Sequence, residues 1–282
     1  MGADIRALTR DLAAETADLV PILRGLAEKD WARDTPAAGW TIRDQISHLA
    51  FFDEAATLSA TDPERFRVEA GQLITDGPDA ADRVAARFAG LPGEQVLAWF
   101  LRAREEFLAV FSTLDPSARV PWFGPTMSAA ASVTARLMET WAHGQDVVDA
   151  FGLSRRPTSR LRYVAHLGVR TLGWSFQIRG LPEPQRPVRV ELLGPDGEQW
   201  TWGPADAADR VSGRAEDFCL LVTQRRHRDE CGLTAEGPVA STWLDIAQAF
   251  AGPPGSGRPQ PDPDRQTMRS GPSASDERAQ AP

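Results

Sequence analysis

Glu139-Thr140-Trp141-Ala142-His143-Gly144-Gln145-Asp146 lies inside a segment whose periodicity is helical from about Ser128 to Phe151. Glu139, His143 and Asp146 stand at i, i+4 and i+7, so a helix places three metal-ligating or proton-transferring side chains on one face. Ser132, Ala135, Ala142 and Ala150 flank that stripe. Small neighbours leave room for something to sit on it; the other reading is an ordinary solvated face. The same segment offers Val133, Leu137, Trp141, Gly144 and Val148 to a core on a different side. A helix apolar on one side and armed on another needs partners, and the preceding chain supplies them.

Asp4 to Leu26 repeats Ile5, Leu8, Leu12, Leu19, Ile22 and Leu26 at helical spacing, with Pro21 expected to kink or interrupt it. Thr41-Ile42-Arg43-Asp44 has the form of a capping box and opens a second helix with Ile42, Ile46, Leu49 and Ala56 inward. His48 lies on the flank of that face and Asp53 within it. A carboxylate among core positions implies a polar partner. A histidine there is equally a surface or satisfied core residue until a second ligand is found. The stretch from Asp62 to Gly93 is broken by prolines and glycines, with a short helix at 80–89. Glu94 to Leu114 is amphipathic through Val96, Phe100, Phe107, Val110, Phe111 and Leu114. The loop after it holds Trp122-Phe123-Gly124-Pro125, which either lines a pocket or packs on the bundle end. Four principal helices with unequal connections predict a four-helix bundle, whose core commonly houses metal sites.

Beyond Phe151 the pattern changes. Ser159 to Ile178 reads as a helix, with His166 structural or exposed. Val188, Val190 and Leu192 alternate, Pro195-Asp196-Gly197 turns the chain, and Gln199–Gly203 and Asp209–Gly213 follow as strands. Helices follow at 214–225 and 242–251. The fold expected is therefore a two-domain α + α/β chain: a four-helix bundle over 1–152, a small α+β domain with an antiparallel sheet over 153–252, and a disordered Pro/Gly/Ser-rich tail over 253–282.

The formal net charge of −8 argues against nucleic acid and anionic membrane as partners. There is no apolar run of about 20 residues and no apolar signal region in Met1 to Arg10. Two cysteines, Cys219 and Cys231, build neither a disulfide framework nor a cysteine metal site. A cytoplasmic protein, monomer or homodimer, is expected, with a small molecule or thiol as partner. No G-x-S-x-G elbow, P-loop or dinucleotide fingerprint is present. Cys219, beside Phe218 and Leu220, reads as a packing residue.

His48, Glu139 and His143 from two helices would make a three-ligand divalent-metal site, of a kind catalytic zinc uses with a fourth position left open. The same donors suit iron or nickel. Asp146 is the candidate acceptor for the second N–H of His143, and Asp53 for that of His48. Asp146 is also the base in a third option, hydrolysis of a small ester or amide. The basic run Arg225-Arg226-His227-Arg228 is a solvated or helix-terminal cluster unless it faces a cleft, where Arg225 or Arg226 would hold a substrate carboxylate.

Gly39-Trp40-Thr41-Ile42-Arg43-Asp44-Gln45-Ile46-Ser47-His48-Leu49, followed by Glu139-Thr140-Trp141-Ala142-His143, resembles the N-terminal metal-binding domain of the mycothiol-dependent maleylpyruvate isomerases, within the DinB-like four-helix superfamily. Residues 217–227 and 247–252 resemble the wyosine-base-formation type of C-terminal domain, and the whole layout resembles an actinobacterial group of metal-binding proteins. The resemblance implies that His48, Glu139 and His143 are the ligands and that mycothiol is a co-substrate, in a transferase or isomerase. A metal-dependent binding or sensing protein without turnover is the alternative; a closed site completed by Asp53 or Asp146 would favour it. Radical chemistry of the wyosine kind would need a cysteine-bound cluster that two distant cysteines cannot hold.

Overall fold

The computed structural model describes residues 4–75, 80–255, 257 and 258. The chain opens with helix α1 (Ile5–Arg24), a single turn α2 (Glu28–Trp31) and helix α3 (Ile42–Thr61). Helices α4 (Pro63–Thr75) and α5 (Ala80–Phe88) cover α3, and α6 (Gly93–Phe111) packs along it. A two-stranded ribbon, β1 (Arg119–Val120) with β2 (Met127–Ser128), leads into α7 (Ala129–Ala150). Helices α1, α3, α6 and α7 form the expected bundle. Pro21 does not break α1: it lies in the last turn, and the helix ends on Gly25, whose N–H reaches the Pro21 carbonyl.

The second half runs α8 (Leu161–Arg170), α9 (Leu172–Gln177), β3 (Val188–Leu193), β4 (Gln199–Trp202), β5 (Asp209–Arg214), α10 (Ala215–Val222), β6 (Leu233–Glu236) and α11 (Pro238–Ile246). The sheet order is β4-β3-β5-β6. Two pairings are antiparallel, but β3 and β5 run parallel, with Val190 opposite Val211. The expected antiparallel pairing is present in β3–β4 and β5–β6, and the parallel β3–β5 pairing makes the sheet mixed. The link after Trp202 carries the chain past β3 to its other edge instead of hairpinning beside β4. Val188, Val190 and Leu192 point inward as the period of two requires.

One apolar cluster joins Leu12, Phe107, Leu137 and Trp141 of the bundle to Val164, Val190, Phe218 and Trp243 of the second half. A second cluster, with Leu23, Ile42, Leu49, Val96, Phe100 and Val147, fills the far end of the bundle. Most of α7 is therefore covered on every side: from Thr140 to Val148 each residue is buried. The chain beyond 252 is described only at 253–255, 257 and 258, where Gln248 bonds the Pro253 carbonyl and the Gly255 N–H; the rest of the expected tail lies outside the described residues. No helix among the described residues is long and apolar enough to cross a membrane.

The capping box on α3 forms as its sequence demands. The Asp44 carboxylate accepts from Thr41 N and Thr41 Oγ1 at 2.8 and 2.7 Å, and the Thr41 side chain faces Asp44 N. This fixes where α3 starts and hence the height of His48 in the bundle. Thr41→Ala is expected to cost about 1 kcal/mol, read as a lower midpoint in urea at unchanged slope; no shift would mean the box does not set the helix start.

Candidate metal centre

α3 and α7 pack directly together, and His48 meets Glu139 and His143 across that contact. Glu139 Oε2 lies 3.0 Å from His143 Nε2 and 3.7 Å from His48 Nε2. One donor atom from each residue falls within 4.8 Å of the others, the one such cluster of three among the described residues. Tetrahedral donors about 2.1 Å from a zinc-sized ion stand about 3.4 Å apart. The two observed separations bracket that spacing.

The tautomer of His143 follows from a chain of hydrogen bonds that ends on a backbone carbonyl. Thr35 Oγ1 lies 2.8 Å from the Trp40 carbonyl, which can only accept, so the threonine hydroxyl donates there. It must then accept from Gln45, whose amide nitrogen is 2.8 Å away. Gln45 Oε1 is left facing His143 Nδ1, which therefore carries the proton. A neutral His143 then turns the bare Nε2 toward Glu139. A carboxylate and an imidazole lone pair at 3.0 Å repel each other unless a cation lies between them. A proton would satisfy that pair alone; a metal ion would satisfy His48 as well.

The electrostatics keep the donors in ligating form. Burial, with His143 alongside, lowers the His48 pKa to about 4, although Glu139 opposes the shift. Burial disfavours the Glu139 carboxylate, but where the facing nitrogens of His143 and His48 carry protons their hydrogen bonds and charge outweigh that and hold it well below the usual range; the carboxylate is thus built to face a cation, proton or metal. The buried His48 Nδ1 has no hydrogen-bond partner. Aromatic rings enclose the group: Trp40 stacks on His143 with centroids 5.9 Å apart, and Phe52 lies 4.5 Å from His48. The Trp122-Phe123 loop packs against Phe52 and Phe66, continuing this wall instead of standing free.

Two expected orienting residues are corrected. Asp146 does not accept from His143; Gln45 holds that place. Asp146 lies one turn on, on the same face, but is drawn away by charge: its Oδ2 takes Arg225 Nη2 at 2.7 Å and its Oδ1 takes Arg258. Asp53 does not serve His48 either. It is fully buried between Arg104 Nε at 2.7 Å and Arg136 Nε at 2.9 Å.

Nor do Arg225 and Arg226 present themselves to a substrate carboxylate. Arg225 is bound to Asp146, and Arg226 clamps Asp149 with both terminal nitrogens, at 2.6 and 2.9 Å. Arg258 joins both carboxylates, so the basic run ties the segment after α10 and the start of the tail to α7. Cys219 is buried, and burial raises its thiol well above the ordinary value, as a packing residue requires. Burial raises Cys231 to about 12. Gln45 and Thr35 carry no strong sequence signal: a glutamine three residues before His48 looks like any helix polar residue, and only its position one turn from that histidine, on the same face, marks it.

Residues 12–148 match the family model described as mycothiol maleylpyruvate isomerase N-terminal domain, and residues 184–236 match one described as wyosine base formation. Two uncharacterized proteins from Mycobacterium tuberculosis strains are each 48% identical over 260 residues, spanning 91% of this chain and all of theirs. Among solved structures, the mycothiol-dependent maleylpyruvate isomerase and a histidine-to-alanine mutant of it align with TM-score 0.55 over 84% of this chain and 96% of theirs. Sequence identity is 16%, so that likeness is one of fold.

Proposed function

The chain belongs to the mycothiol maleylpyruvate isomerase N-terminal domain family, and from that premise we propose that it is a metal-dependent transferase or isomerase that uses mycothiol, or a closely similar small thiol, on a small electrophile. The observation that carries the reading is the convergence of Glu139 Oε2, His143 Nε2 and His48 Nε2, with Gln45 Oε1 placed to hold a His143 proton on Nδ1. His48, Glu139 and His143 would hold a divalent ion, zinc first among candidates. When bound, such an ion supplies Lewis acidity that lowers the pKa of a thiol and polarises an oxygen.

The chain's own residues do the rest. Gln45, braced by Thr35, keeps the His143 proton on Nδ1 and its lone pair toward the cluster. Trp40 and Phe52 exclude water and offer flat apolar surfaces. Both cysteines of the chain are held protonated, so a thiol nucleophile would come from outside. Asp53 and Asp146, the two carboxylates that could have closed the site with a fourth ligand, are each committed to arginines. That favours an open coordination position, and hence turnover over a sealed sensing or structural site.

The test has two parts. Protein purified without added metal is expected to carry about one divalent ion per chain, and the His48→Ala variant far less. Metal-loaded protein mixed with mycothiol and a panel of electrophiles is expected to consume thiol faster than that variant. Less than about half an ion per chain, unchanged in the variant, undoes the metal site. Failure both to bind mycothiol and to exceed the variant with every electrophile sinks the thiol chemistry.

A further inference from the structure

A second cavity lies on the other side of α7. At 100° per residue, Ala130 and Thr134, which line it, are centred about 180° around the helix from Glu139 and His143. Its volume is about 520 Å³, within the range of small-molecule sites. Leu8 and Leu167 give it an apolar floor, and Trp202 forms a wall. Along one edge stand Arg162, His166 and Arg170, at i, i+4 and i+8 of α8, where helical geometry points them the same way.

The charge at this edge is one-sided. No Asp or Glu lines the cavity. Neither Arg162 nor Arg170 makes an ion pair with a described residue, on a chain whose formal charge is −8. Arg162 instead lies over the ring of Trp200, 5.9 Å from its centroid. Asp11 does not line the cavity, and the Tyr163 hydroxyl contacts it at 2.7 Å. The Trp202 indole N–H can only donate and sits 3.2 Å from His166 Nδ1. A neutral His166 therefore carries its proton on Nε2, free for another acceptor. Burial, then Arg170 and Arg162, lower the pKa of His166 and favour that neutral form.

From this arrangement we infer that the groove between α8, α7 and Trp202 is a second ligand site, separate from the metal cluster, for a small amphipathic organic anion. Its carboxylate or similar head is held by Arg162, Arg170 and His166 Nε2–H. Its flat apolar body lies against Trp202, Leu8 and Leu167.

Calorimetric titration of the full chain with 2-naphthoate tests this, with neutral 2-naphthamide as the matched control. Saturable binding of one naphthoate per chain is expected. The amide, and naphthoate with the Arg162→Gln/Arg170→Gln double variant, should each bind about tenfold more weakly or worse. Both arginines are exposed, so these changes leave the core intact. Affinity in the His48→Ala variant should match wild type, which separates this site from the metal cluster whatever becomes of the proposed reaction. Equal binding of acid and amide, unchanged affinity in the double variant, loss of binding in His48→Ala, or no saturation up to roughly 5 mM would each overturn the assignment.

Discussion

Replacing Asp53 with Ala is expected to lower the unfolding free energy by roughly 3–5 kcal/mol. Asp53 is 0% exposed and the Arg104 and Arg136 side chains only 3% and 4%. Removing the carboxylate leaves two guanidinium groups in the bundle centre without their counter-ion. Arg104 also donates to Thr16 and Thr140, and Arg136 to the Leu49 carbonyl. One buried triad thus joins α1, α3, α6 and α7. Denaturant unfolding checks the figure, and a loss under about 1 kcal/mol would mean that the triad behaves like a surface pair.

Strong destabilisation on breaking the triad does not mean the triad is there for stability. A well-packed apolar substitute is often as stable as a buried ion pair, or more so. The position of this triad points to alignment. Asp53 is five residues past His48 on α3, and Arg136 is three residues before Glu139 on α7, so their bond fixes the register between the helices that carry the three donors. An Asp53→Leu/Arg104→Met/Arg136→Met variant is therefore expected to recover most of the lost stability and still bind metal more weakly. Recovery of both would remove the alignment role.

The residues differ in how far their sequence context announced their place. The four bundle helices and the box at Thr41 were legible because periodicity and caps are local signals. Helix α4 is hidden among prolines and glycines, although Phe66, Ala70 and Leu73 face inward at i, i+4 and i+7. Pro63 looks like a breaker but stands at the first helical position, where its missing N–H costs nothing, and Asp62 caps the helix through Arg65 N. Strand β6 and the parallel pairing of β3 with β5 depend on partners far along the chain. So does the fate of Asp146. Its spacing from His143 fitted a hydrogen bond along the helix, but Arg225 and Arg258, 79 and 112 residues away, supply charged partners that a neutral imidazole cannot match. His48, Glu139 and His143 were brought together as expected because two amphipathic helices had to face one another for other reasons.

Gln45→Ala is expected to weaken metal affinity by about 10–100-fold with little change in fold, because Gln45 touches no donor atom of the cluster directly. It acts through the proton on His143. With the amide present, Nδ1–H has an acceptor and Nε2 is free for the cluster. Without it, the proton can move to Nε2, where Glu139 accepts it, and the imidazole becomes a hydrogen-bond donor to the carboxylate in place of a ligand beside it. Gln45→Glu keeps an acceptor for Nδ1–H and should retain most of the affinity, a rescue that mere packing would not predict. Competition with a chromogenic chelator gives the dissociation constants, and imidazole nitrogen chemical shifts in the metal-free protein report which ring nitrogen is protonated. An unchanged dissociation constant in Gln45→Ala, or Nδ1 protonation that survives there, would show that another group sets the tautomer. Thr35→Val provides the second check, since it removes the hydroxyl that fixes which end of the Gln45 amide faces His143; it should fall between wild type and Gln45→Ala, as expected for a residue acting two bonds from the ligand.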